Sequence, residues 1–171
     1  MRKSWLLLGI ALLAAALAIG AVACGDEDQD VGEATPTAGE TPVVGETPAA
    51  GVVNVNLTEW IVAPQPDSVP AGSVTFNAKN IGGEEHELVI IKTDLAPDAL
   101  PTKDDGSFDE AGQGVEVIHH IMKIARREED SATVNLEVGA YVLICNVVTE
   151  SNGRTVSHYH QGMHAAFTVT E

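Results

Sequence analysis

Residues 145–163 read CNVVTESNGRTVSHYHQGM. The stretch is bracketed by two runs whose apolar residues alternate with a period of two. Before it, Tyr141, Leu143 and Cys145 fall on one side of an extended segment; after it, Met163, Ala165, Phe167 and Val169 do the same. Alternation of this kind is the mark of half-buried strands, because successive side chains of an extended chain point to opposite faces. The stretch therefore joins two adjacent strands, with Cys145 closing the first and Met163 opening the second, both on the inward side. In its middle, Asn152-Gly153 lies between Val147-Val148 and Thr155-Val156, a two-residue hairpin signal.

Upstream to residue 52 the same texture continues, with short β-type runs cut by Gly, Pro, Asn and Asp. The remaining expected strands are Val53 to Leu57, Ser73 to Lys79, Glu85 to Lys92, Val115 to Lys123 and Ala132 to Val138. Seven short strands separated by turn residues describe an all-β Greek-key sandwich. Ile118 to Arg127 is ambiguous between strand and helix. Residues 93–113, rich in Asp and Pro, read as a long acidic solvated loop; Asp104 to Glu110 lacks the alternating ligand spacing of a calcium loop.

The amino terminus is organised differently. Arg2 and Lys3 precede an apolar run from Trp5 to Ile19 and a small-residue close, the layout of an export signal over residues 1–23. Ala21-Val22-Ala23-Cys24 resembles the bacterial lipoprotein box, which implies lipidation of Cys24 and a membrane anchor; an uncleaved transmembrane anchor and simple secretion are the alternatives. All three place the remainder outside the cytoplasm. Residues 25–50 hold seven acidic and no basic side chains and repeat Gly-Glu-Thr-Pro, so residues 24–51 read as a disordered, self-repelling tether. Residues 51–171 carry seven basic against 18 acidic side chains, a formal −11. Such a balance argues against nucleic acid and favours basic partners.

If Cys24 is lipidated, Cys145 stands alone in a compartment where thiols are normally paired. Cys145, His158 and Met163 offer a reason: a thiolate, an imidazole and a thioether suit copper in both oxidation states. The order resembles the ligand loop of blue copper proteins of the azurin and plastocyanin type, in which a strand-end cysteine is followed by a histidine and, after four residues, a methionine before the last strand. His158 and Met163 have that spacing. The fourth ligand of that family is a histidine far upstream leading into an apolar run, and Glu84-Glu85-His86-Glu87-Leu88-Val89-Ile90-Ile91 fits.

The resemblance covers residues 52–171 and implies a cupredoxin domain holding one copper ion with His86, Cys145, His158 and Met163. This sequence departs from the family in placing twelve residues between Cys145 and His158, where azurin-type loops have four. The hairpin would return the chain to its exit point, but His160 and His164 remain rival ligands. The adjacent His119 and His120 cannot both serve one ion from a regular strand.

Two functions fit this reading. The first is a monomeric electron carrier exchanging electrons with membrane-associated redox partner proteins through an exposed edge of His158. The second is a non-redox copper module for storage, delivery or sensing. An enzyme is not expected, because a single domain with a saturated ligand set offers no open substrate position.

Overall fold

The computed structural model describes residues 49–171 apart from Asn152. The export signal, Cys24 and all but the last residues of the tether therefore lie outside the described residues. Among the described residues eleven strands follow in order: β1 (Ala49–Thr58), β2 (Ile61–Gln65), β3 (Ser68–Pro70), β4 (Gly72–Asn80), β5 (His86–Lys92), β6 (Glu116–Ile124), β7 (Glu129–Leu136), β8 (Gly139–Ile144), β9 (Val148–Ser151), β10 (Arg154–Ser157) and β11 (His164–Thr170). β1 begins three residues before the expected domain boundary at residue 52.

One sheet has the order β2-β1-β4-β7, the other β3-β11-β8-β5-β6, and β9 and β10 form a separate hairpin. β1 runs parallel to β4 and β11 parallel to β3, whereas the other pairings are antiparallel. Between the sheets lies the main core. Val53, Val55 and Leu57 of β1 meet Val74, Phe76 and Ala78 of β4, and opposite them stand Leu88, Ile90, Leu143, Phe167 and Val169. Phe76 and Phe167 meet edge to face with ring centroids 5.4 Å apart, a favoured aromatic geometry.

Each of the seven expected strands is present, with shifted ends. The two additional sheet strands, β2 and β3, contain Pro64 and Pro70. A proline cannot donate to a ladder, so it argues against a strand in sequence; it is tolerated here because both strands sit at sheet edges. The ambiguous segment is a strand to Ile124, and β7 starts earlier than expected, at Glu129. Its polar start reflects its edge position, where one face and one flank meet water.

The long loop differs from expectation. β8 is not half-buried but buried on both faces, because Val142 and Ile144 join a second apolar cluster with Val89, Ile91, Leu100, Phe108 and Tyr159. Leu100 and Phe108 come from the acidic loop between β5 and β6, which is therefore not simply solvated. It is pinned by Tyr159, whose hydroxyl donates to Pro97 O at 2.9 Å and accepts from Leu100 N at 3.0 Å. The loop's acidic residues serve its own turns: the Asp105 carboxylate accepts from the amide and hydroxyl of Ser107 at 2.9 and 2.6 Å.

Candidate metal centre

One end of the sandwich collects the chemistry. His86 is the first residue of β5, Cys145 follows the last residue of β8, His158 follows β10, and Met163 precedes β11. All four are completely buried. The hairpin delivers His158 as its sequence suggests. Arg154 pairs with Ser151, and Gly153 has φ +71°, a left-handed value that glycine adopts at little cost. At the base, the His158 amide donates to Val147 O at 2.9 Å, so the chain returns within two residues of Cys145. The extra length of the twelve-residue segment between Cys145 and His158 is thereby folded out of the way.

The sulfur of Cys145 and the Nδ1 atoms of His86 and His158 form a small triangle. Its sides are 3.2 Å between the two nitrogens, 3.4 Å from Sγ to His158 Nδ1 and 3.7 Å from Sγ to His86 Nδ1. The centre of such a triangle lies about 2.0 Å from each corner, the length of a first-row metal–nitrogen bond. Among the described residues these three form the group able to hold a metal ion. His160 is exposed, and His164 turns toward Tyr159 with rings 5.5 Å apart, so neither replaces His158. His119 is exposed and His120 lies 3.6 Å from Glu110, away from the triangle.

Met163 is tied to His158 and Cys145 through its backbone. Its amide donates to His158 O at 3.1 Å, and its carbonyl accepts from the Cys145 amide at 3.0 Å. This rung places the Met163 side chain on the same sheet face as Cys145, and both belong to the main core.

The electrostatics favour a neutral, dry donor set. Burial pushes the Cys145 thiol up to about 12, against the downward pull of the Glu87 and Val147 amides. The Glu87 amide points at Sγ from 3.4 Å and would stabilise a metal-bound thiolate. Burial lowers the pKa of both histidines, and for His86 the neighbouring His158 lowers it further. Neutral imidazoles are the form that ligates.

Sequence reasoning missed the residues that surround this triangle. The Nε2 of His158 is 3.1 Å from Glu84 Oε2, and the Nε2 of His86 is 3.3 Å from Glu59 Oε1. The second pair is close enough for charge attraction, but His86 Nε2 has no aligned hydrogen-bond partner. The Trp60 ring stands edge-on to His158 at 5.1 Å. The exposed imidazole edge expected at His158 is absent, because Trp60 and Glu84 flank a ring with no accessible surface. No local signal in the sequence links Glu59 to His86, 27 residues further on, or Trp60 to His158, 98 residues further on.

No protein-family model and no curated protein matches the chain. Solved structures do. Na-dithionite-reduced auracyanin from the photosynthetic bacterium Roseiflexus castenholzii is similar with a TM-score of 0.51 and 20% identity, over 71% of this chain and 98% of that one. Auracyanins are blue copper proteins, and the fold of this chain is the cupredoxin β-sandwich. A structure of auracyanin B gives a TM-score of 0.49 and 23% identity, over 75% of this chain and 94% of that one.

Proposed function

We propose that this protein is an electron carrier with one type 1 copper ion, held by the thiolate of Cys145 and the Nδ1 atoms of His86 and His158, with the Met163 thioether as weak axial ligand. The observation that carries the reading is the closed triangle of one sulfur and two imidazole nitrogens, completely buried at the end of a rigid sandwich. Copper supplies the one-electron couple. The chain supplies ligands that need not move when the charge changes: two are anchored by strands, and two by a loop whose ends are hydrogen-bonded together.

The same closure weighs against storage or delivery, which need an open site. His160 and His164, the spare ligands that would support transfer, point elsewhere. An open substrate position of the kind a copper enzyme uses is likewise unsupported. Since His158 is covered, electrons pass at the surface formed by Trp60 and Glu84.

An export signal over residues 1–23, a lipid anchor at Cys24 and the acidic tether, all read from the sequence, support a carrier held at the membrane outside the cytoplasm and acting as a monomer. Its redox partners are then membrane-associated proteins, and its acidic charge selects basic faces on them. The test is a visible spectrum of the protein lacking residues 1–24 after addition of Cu(II). We expect an intense copper–thiolate band that Cys145→Ser abolishes. A colourless complex would refute the proposal.

A further inference from the structure

The two ligand imidazoles share an arrangement: each turns Nδ1 toward Cys145 and presents Nε2 to a glutamate. The loop between β4 and β5 is built around these carboxylates. Glu59 Oε1 accepts from the amides of Gly83 at 2.8 Å and Glu84 at 2.7 Å. Burial raises the Glu59 carboxyl, but its own amide and those of Glu84 and Gly83 outweigh this and hold it below its ordinary value. Gly82 makes room for it, since a Cβ there would stand 2.7 and 2.8 Å from the two Glu59 oxygens and 2.9 Å from His86 Nε2.

Asn80, completely buried, fixes the far side of the loop. Its Nδ2 donates to Glu84 O at 2.7 Å and Ile124 O at 2.9 Å, and its Oδ1 accepts from Gly82 N at 2.9 Å. Glu84 is thus held at its amide by Glu59 and at its carbonyl by Asn80. Its carboxylate reaches His158 from a backbone that has little freedom.

We propose that Glu84, braced by Glu59, is a positioning residue: it holds His158 in the Nε2-protonated tautomer and, by its negative charge, lowers the reduction potential of the copper centre. The inference rests on the copper reading above. A metal-facing Nδ1 lone pair requires the proton on Nε2, and a carboxylate that accepts from that N–H both selects the tautomer and makes the imidazole a stronger donor. A fixed negative charge beside a dry site favours Cu(II) over Cu(I), the more positive ion gaining more from it. Glu84 keeps part of its surface in water, which screens but does not remove the effect.

Two measurements test this. The first uses metal-free protein and the 15N resonances of the imidazoles. Wild type should show His158 in the Nε2–H tautomer, and Glu84→Ala should lose that dominance; an unchanged tautomer would overturn the positioning role. The second uses copper-loaded protein. Glu84→Gln keeps an acceptor but removes the charge, so the visible band should persist while the reduced-to-oxidised ratio at a fixed ambient potential rises about tenfold, or about 59 mV for one electron. The neighbouring exposed Glu85 is the control. An unshifted potential in Glu84→Gln, or an equal shift in Glu85→Gln, would overturn the charge role. Should wild type give no copper–thiolate band at all, the electron-carrier reading fails, and the tautomer measurement still decides the Glu84–His158 contact.

Discussion

The amide of Cys145 donates to the carbonyl of Met163 at 3.0 Å, one rung beyond the paired residues Ile144 and His164. The ladder of β8 and β11 therefore runs on into the site, and the thiol and thioether face the same way because a rung of sheet forces them to. Met163→Leu, close in volume, should cost less than about 1.5 kcal/mol. It should keep the visible band and raise the reduction potential, because losing a thioether donor destabilises Cu(II). A potential equal to wild type would remove Met163 from the ligand set. Met163→Ala should cost about 2–5 kcal/mol in denaturant titrations, the usual penalty for emptying a buried site.

The Cys145 thiol, buried and pushed up to about 12, should be almost inert without metal. At pH 8 only about one molecule in ten thousand would carry the thiolate. In metal-free protein lacking residues 1–24, and so lacking Cys24, a disulfide reagent should react negligibly with the folded chain and rapidly after guanidinium chloride is added. Fast labelling of the folded chain would contradict the closed site.

Gly82 and Gly83 should behave differently. A Cβ at Gly82 collides with Glu59 and His86, whereas one at Gly83 meets nothing nearer than Glu59 Oε1 at 3.9 Å. Gly82→Ala should destabilise the protein by about 1–3 kcal/mol, as overpacking does, and weaken copper binding. Gly83→Ala should leave affinity near wild type, as a titration of copper against a competing chelator would show.

The pH dependence of the metal-free protein follows from the two buried histidines. Burial lowers both from the ordinary 6.5, although Glu59 and Glu84 pull in the opposite direction. As pH falls through 6.5 the unfolded chain takes up protons that the folded chain resists, so stability declines by up to about 1.4 kcal/mol per pH unit for each histidine. Above that range this contribution is constant. Glu59, held low, adds a further loss at more acid pH, and Glu87, raised by burial, opposes it. Urea midpoints should fall between pH 7.5 and 5.5; equal midpoints would mean that the imidazoles are not desolvated.

Local pattern explains which strands were legible. β1, β4 and β11 carry apolar alternation, since one face of each fills the core, whereas β5 and β8 read as continuous apolar runs because both of their faces are buried. β2 and β3 were hidden by Pro64 and Pro70, residues that read as strand breakers until the strand is known to be an edge. The burial of Leu100 and Phe108 was hidden in the same way. They are isolated apolar residues in an acidic loop, and only the outer face of β8, turned toward them, gives them a partner.

What the sequence alone determined is the donor chemistry and its order: a thiol at a strand end, a hairpin signal at Asn152-Gly153, a histidine and a methionine with four residues between them, and a histidine leading an apolar run. These follow from strand periodicity and turn chemistry, which act between neighbours along the chain. Tertiary structure alone decided that His158, rather than His160 or His164, completes the triangle, and that Glu59, Glu84 and Trp60 enclose it. Those contacts join residues tens of positions apart, and their distances are set by how two sheets pack and how a loop is pinned, a register no local pattern encodes.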